Sequence, residues 1–239
     1  TGVINCLATF PDGRVLSGSD DKTLKVWDLA KEPGQECIAT LTGHTDDIKC
    51  VAILPNGRVI SGSYDNSLKV WDLARKSGQE CIATLTGHSS WVLDVAIFPG
   101  GQVVSGACDG IRVWDLDQKP GRECVAALRH RNYWGGVTIL PDERVITGGA
   151  TAGSLKLWDL TRGAGHECVA TLEGHSGLIR CVVVHPDGQV ISNSGDNTLK
   201  LWDLNKKAPD DMCIATLSGH NDFVKCMVVH PDGRVVSAS

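Results

Sequence analysis

The sequence predicts an all-β fold of tandem four-stranded antiparallel sheets packed side by side about a shared axis. Three markers carry that expectation. Trp-Asp occurs at 27–28, 71–72, 114–115, 158–159 and 202–203, at spacings of 44, 43, 44 and 44. Gly-His stands at 43–44, 87–88, 174–175 and 219–220, with Arg-His at 129–130. A Pro-Asp-Gly-like turn falls at 11–13, 55–57, 99–101, 141–143, 186–188 and 231–233. All three keep one phase, so a single unit has been repeated.

The second unit shows the elements in order. Residues 48–54 are a short apolar run with β-branched side chains, and Pro-Asn-Gly at 55–57 turns the chain. A second strand follows at 58–63, ending in Ser-Gly-Ser, and Tyr64, Asp65 and Asn66 form a tight polar turn. Residues 67–73 alternate polar and apolar as a half-buried strand does. After a polar loop with Gly78, residues 81–85 make the fourth strand. Four short strands joined by turns are one antiparallel meander. A lone sheet of this size cannot bury both faces, and stacking of copies solves that. Segments 29–44 and 73–88 differ only at 31–33 against 75–77, which points to tandem copying of a unit.

First and second strands are expected six times, third and fourth strands five times. Three arrangements fit the half unit at the end: a piece of a longer, seven-unit chain, a two-stranded last sheet, or a second copy supplying the missing strands. An open sheet edge invites self-association. Thr1 is not Met, so the start is expected to be processed or trimmed.

Composition narrows the function classes. Apolar residues make up 42%, enough for a large core. Seven of the twelve aromatics are Trp, as expected when Trp holds a fixed place in a recurring unit. A net charge of −5 gives no general basic field for nucleic acid. No window approaches 18 consecutive apolar residues and no basic-then-apolar leader opens the chain, so neither a membrane span nor secretion is predicted. Of ten cysteines, 37, 81, 124, 168 and 213 recur at one phase and 6, 50, 181 and 226 at another, on the outermost and innermost strands of a sheet. Three strand spacings of about 4.8 Å separate those strands, too far for a disulfide. The thiols are expected to be reduced, small, buried hydrophobes, which places the chain in the cytoplasm or nucleus.

Gly-His, Trp-Asp and this period closely resemble the WD-repeat β-propeller family, over essentially the whole chain. The resemblance implies one propeller domain over 1–239, with blades at about 1–41, 42–85, 86–128, 129–172 and 173–217 and a partial blade at 218–239. It also implies that Trp, Ser, His and Asp of each blade form a hydrogen-bonded chain. The sets are His44, Ser61 (or Ser63), Asp65 and Trp71; His88, Ser105, Asp109 and Trp114; and His175, Ser192, Asp196 and Trp202. A buried indole N–H and imidazole need such partners, and a satisfied network stiffens its surroundings. A Ser-His-Asp hydrolase is the rival, but a catalytic constellation is expected once, with an oxyanion hole and a cleft. The first unit shows Ser17, Asp21 and Trp27, with its His expected to lie before the chain start. The fourth departs, with Arg129, His130, Thr147 and Trp158 and a turn at 149–153 that contains no Asp. His130→Ala is therefore expected to cost less stability than His175→Ala.

In the family, the His loop and the turn after the second strand lie on one face, around the channel mouth. The residue three after His varies as Asp47, Trp91, Tyr133, Leu178 and Phe223. The residue before the turn Asp is Asp20, Tyr64, Cys108 and Gly195. Lys49, Arg180 and Lys225 open the first strands. A mixed aromatic and basic mouth suits an acidic or phosphorylated peptide, although such aromatics also pack on neighbouring loops. Trp134 aligns with core positions. The loops at 30–36 and 205–211 mix both signs of charge, as a solvated rim or a second docking face does. No Walker loop, GxGxxG, HExxH or EF-hand loop is present. His185 and His230 stand in separate units and read as structural. No cofactor, metal or catalytic residue is expected. The favoured function is a protein-interaction scaffold; the alternative is a C-terminal sensor domain of a larger signalling protein such as an NTPase.

Overall fold

The computed structural model describes residues 2–128, 135–149, 153–162, 167–206 and 208–239. His130, Tyr133, Trp134 and the Asp-less turn at 150–152 lie outside them. Two compact units form, Thr1–Ala127 and Leu128–Ser239.

In the first unit, sheet 1 holds β1 (Ile4–Thr9), β2 (Val15–Ser19), β3 (Thr23–Trp27) and β4 (Cys37–Thr42) in that spatial order. Sheet 2 holds β5 (Ile48–Ile53), β6 (Val59–Ser63), β7 (Leu68–Trp71) and β8 (Cys81–Leu85). Sheet 3 holds β9 (Val92–Ile97), β10 (Val103–Ala107), β11 (Gly110–Trp114) and β12 (Cys124–Leu128). In the second unit, sheet 4 holds β13 (Val137–Ile139), β14 (Val145–Gly148), β15 (Leu155–Trp158) and β16 (Cys168–Leu172). Sheet 5 holds β17 (Ile179–Val184), β18 (Val190–Ser194), β19 (Leu199–Trp202) and β20 (Cys213–Leu217), with a 3-10 turn at Pro209–Asp211 before β20. Sheet 6 is the pair β21 (Cys226–Val229) and β22 (Val235–Ala238). All pairings are antiparallel, so these are five four-stranded propeller blades and one two-stranded sheet.

Successive sheets of a unit pack face to face. The second strand is buried along its whole length in sheets 2, 3, 4 and 5. Its alternate residues supply two different cores, as a strand's period of two requires. Val59 joins Leu16, Leu24, Val26 and Trp71 between sheets 1 and 2, whereas Ile60 joins Val92, Val95 and Trp114 between sheets 2 and 3. Trp71, Trp114 and Trp202 thus each lie against the sheet before their own. The second strand's glycine faces the sheet after it. A Cβ at Gly62 would stand 2.6 Å from Val92, and one at Gly148 2.7 Å from Ile179. Sheet 5 has Asn193 there, its side chain accepting the Cys181 N–H at 2.7 Å.

The turns repeat one geometry. Gly13, Gly57, Gly101, Gly188 and Gly233 take φ of 80–89°, and Glu143 carries φ 64° at the same place in sheet 4.

One expectation is corrected. All ten cysteines are free thiols, but Cys37, Cys81 and Cys168 on the fourth strands and Cys226 are exposed rather than buried. The fourth strand is the outer edge of its sheet, and only its later residues, such as Leu41 and Leu85, reach the core. The exposed sulfurs lie over their own strand, Cys37 Sγ 3.7 Å from the Ala39 carbonyl.

Candidate functional site

Two sets of side chains were singled out for site roles, one inside the blades and one on a loop face. Within sheet 2, the Trp71 indole N–H donates to Ser61 Oγ at 2.8 Å, and His44 Nε2 pairs with the same oxygen at 2.8 Å. His44 Nδ1 meets Asp65 Oδ2 at 2.7 Å. One polarity satisfies every atom: indole N–H to hydroxyl oxygen, hydroxyl proton to Nε2, Nδ1–H to carboxylate. Asp65 also takes the Thr45 N–H at 3.0 Å and, through Oδ1, the Ser67 hydroxyl at 2.6 Å. Ser63 has a different task, donating to the Asp46 carbonyl at 3.0 Å and accepting the Asp65 N–H at 3.1 Å.

The same distances recur in two other sheets. Ser105 takes Trp114 at 2.8 Å and His88 at 2.7 Å, and His88 meets Asp109 at 2.6 Å. Ser192 takes Trp202 and His175 at 2.8 Å each, and His175 meets Asp196 at 2.8 Å. In sheet 4 the Trp158 indole donates to Thr147 at 2.9 Å.

Burial pushes the His44, His88 and His175 pKa values down, and the aspartate partner only partly opposes it. The imidazoles are neutral at pH 7. Burial would raise the Asp196 pKa, but bonds from Thr198, Ser176 and His175 outweigh it and hold the carboxylate at about 2. Ser61, Ser105 and Ser192 are fully buried. Each oxygen is committed to an indole and none can be approached by a substrate, so these triads hold strands together.

The loop face is built differently in the two units. In Thr1–Ala127 the Tyr64 and Trp91 rings stack at 4.6 Å, and Lys49 Nζ sits 4.4 Å from the Tyr64 centroid. Trp91 remains 42% exposed. Lys49 bridges Asp20 at 2.8 Å and Asp47 at 3.0 Å. Burial would favour its neutral form, but the two carboxylates overcome this and raise its pKa. Its charge is therefore answered inside the unit. In Leu128–Ser239, Leu178 and Phe223 are both exposed, and the Phe223 ring lies beside Gly195, where a Cβ would stand 3.5 Å away. Arg180 and Lys225 are exposed nearby in sequence. Neither side chain has an ion-pair or hydrogen-bond partner among the described residues.

The position before the turn aspartate thus contacts the position three after His of the following sheet: Tyr64 with Trp91, and Gly195 with Phe223. Within one sheet the same two positions share a backbone bond, Tyr64 N–H to Asp47 at 2.9 Å and Gly195 N–H to Leu178 at 2.8 Å. Sequence comparison found both variable positions but not their pairing. It also missed Asn5, which donates to Asp20 at 2.6 Å and to the Ile48 carbonyl at 3.0 Å, tying sheet 1 to sheet 2.

The model of the WD domain, G-beta repeat family matches residues 1–28, 35–72, 79–115, 166–203 and 211–239. The chain belongs to the WD-repeat family. The stretch at 116–165, which no WD match covers, includes the fourth unit's Asp-less turn. Two WD-repeat relatives align over about one repeat. Nuclear distribution protein PAC1 of Scheffersomyces stipitis is 49% identical over 45 residues, 17% of this chain and 9% of that protein. F-box/WD repeat-containing protein 7 of Drosophila melanogaster is 48% identical over 46 residues, 19% of this chain and 3% of that protein. The likeness therefore spans a small part of either relative's length. WD repeats indicate a protein-interaction scaffold. Among the described residues no helix is long and apolar enough to cross a membrane, and no cluster of three or more His, Cys, Asp or Glu could hold a metal ion.

Proposed function

We propose that the chain is a non-catalytic docking platform for proteins or peptides, and that Leu178, Arg180, Phe223 and Lys225 form the contact surface of its second unit. The observation that carries this reading is the company those residues keep: two exposed apolar side chains beside two cations without partners among the described residues. Apolar anchors supply most of the energy of a protein contact, and cations at the edge select acidic or phosphorylated partners. The first unit contributes differently. Its stacked Tyr64–Trp91 pair is a rigid apolar anchor, while Lys49, already held by Asp20 and Asp47, adds little attraction for an anion. Ten cysteines, none of them in a disulfide, support a reducing compartment, cytoplasm or nucleus.

The test is quantitative partner capture with two double variants of unchanged thermal stability. Leu178→Ala with Phe223→Ala is expected to lose partners outright. Arg180→Glu with Lys225→Glu is expected to lose those partners whose capture by the wild type weakens at high salt. An unchanged partner list for both variants refutes the site.

A further inference from the structure

The residue before the turn proline is apolar and buried in the first four sheets: Phe10, Leu54, Phe98 and Leu140. Within a unit it reaches toward the sheet that follows. Phe10 joins Val59 and Trp71, Leu54 joins Val92 and Trp114, and Leu140 joins Ile179 and Trp202. Sheet 5 has His185 at that place, half-buried. Its ring also meets the next sheet, but through a polar atom. Nε2 lies 2.9 Å from the Gly233 carbonyl oxygen, in the turn between β21 and β22. The approach depends on the missing side chain, since a Cβ at Gly233 would stand 2.9 Å from Nε2.

The other ring nitrogen also meets an acceptor. Nδ1 is 2.7 Å from Asp187 Oδ1. The Gln189 N–H, at 2.9 Å from the same oxygen, helps keep that carboxylate ionised. An oxygen on each side calls for an N–H on each nitrogen, and only the imidazolium has both. The neutral ring has one proton for two acceptors. The carboxylate is the stronger acceptor, so Nδ1 keeps the proton and a bare Nε2 faces the Gly233 carbonyl. The opposite tautomer sets a nitrogen lone pair against the carboxylate, and the Asp187 N–H at 3.4 Å is a poor exchange for that. The carboxylate and then the carbonyl hold the His185 pKa above 6.5, outweighing burial. On the facing turn, Asp232 is engaged with Arg234 and with His230, at 2.7 Å each. Among the described residues, Asp187 is the charged side chain that acts on the ring.

We propose that His185 is a proton-operated latch between sheets 5 and 6. The imidazolium clasps the Gly233 carbonyl and holds the β21–β22 pair on sheet 5; deprotonation releases the clasp. A histidine whose pKa is raised by a contact strengthens that contact fully below about pH 6.5, and stops doing so as pH rises through the raised value. The direction is opposite to that of His44, His88 and His175, which burial keeps neutral. The released state retains the apolar packing of Ile191 and Leu199 with Val224 and Met227, so sheet 6 loosens without detaching. The segment entering β21 carries Phe223 and Lys225, and proton uptake by His185 steadies that half of the docking surface proposed above. The latch itself does not depend on that docking reading.

Two NMR measurements on the full chain test this. The His185 ring signals are titrated, and amide exchange is followed at about pH 6 and about pH 8.5. Protection of β21 and β22 is read relative to that of β18 and β19, which cancels the intrinsic pH dependence of exchange and any global change. A His185 pKa above 6.5 is expected, with relative protection at least about twofold higher at the lower pH. His185→Leu restores the residue type of sheets 2 and 4 and is expected to abolish the pH step, while protection of β18 and β19 reports that the variant is folded. Asp187→Asn is expected to lower the His185 pKa and move the step to lower pH with it. A His185 pKa at or below 6.5 overturns the proposal. So does equal relative protection at both pH values, or a step that persists in His185→Leu.

Discussion

Ser61→Ala and Ser17→Ala remove the same atom from the same register position of two adjacent sheets, and the structure sets very different costs. Ser61 pairs across to Val51 and Lys69, and Ser17 to Leu7 and Lys25, so strand propensity cancels in the comparison. Ser61 Oγ serves two buried groups, the Trp71 indole N–H and His44 Nε2. Its loss strands both where water does not reach, at about 1–3 kcal/mol per group, so the two together cost about 2–6 kcal/mol. Among the described residues Ser17 Oγ serves only Trp27, which is partly exposed and can turn to water, so about 0.5–1.5 kcal/mol is expected. The gap of about 3 kcal/mol between the middles of the two ranges corresponds to roughly 6–12 °C in Tm for a chain of this length. Urea and thermal melts followed by far-UV circular dichroism and by tryptophan fluorescence measure it. Losses equal within about 0.5 kcal/mol refute the argument, since the imidazole bond would then add nothing and the serine would be a spacer.

Other outcomes follow from the same geometry. Because burial holds the folded pKa of His44, His88 and His175 below the unfolded value of 6.5, the unfolded chain takes up protons first as pH falls. Stability is complete above about pH 6.5 and declines below it, so Tm at pH 5.5 should fall clearly below Tm at pH 7.5; a flat profile refutes the neutral assignment. Glu143→Gly should raise stability by about 1 kcal/mol in the same melts, because a non-glycine residue sits at φ 64° where five other turns have glycine. Maleimide labelling read by mass spectrometry should modify exposed Cys37, Cys81, Cys168 and Cys226 quickly, and buried Cys50 last. Cys6 should also lag, its pKa raised to about 12 by burial; early labelling of Cys50 contradicts the packing of sheets 2 and 3.

The fold was legible because its cause is periodic. Trp-Asp, Gly-His and the proline turn each answer a need that recurs in every sheet, so their phase marks strands and turns to within a residue or two. Residue 48 was expected to open a strand and does; residue 54 was expected to end it, but Leu54 instead receives the turn bond from Gly57 at 2.9 Å. What was illegible depends on contacts between different positions of neighbouring units. Aligning repeats compares Trp91 with Phe223, yet Trp91 stacks on Tyr64, which belongs to another column of that alignment. Lys49 reads with Arg180 and Lys225 as part of a basic mouth, and Asp20, its partner at 2.8 Å, is 29 residues earlier and one sheet away. The fourth-strand cysteines read as small buried hydrophobes because their spacing rules out disulfides, and only the edge position of their strand shows that its first residue faces solvent.

The contact between consecutive sheets has a direction. Between sheets 1, 2 and 3 the Trp71 and Trp114 indoles lean backward and the second-strand glycine receives a β-branched side chain from ahead, Ile48 on Gly18 and Val92 on Gly62. The two surfaces that meet are therefore different, as a plug differs from its socket, and sheet 2 bears both. Such an arrangement tolerates gene duplication: a new leaf slots between two old ones without either neighbour having to change. The almost verbatim stretches 29–44 and 73–88 are what that tolerance leaves in a sequence.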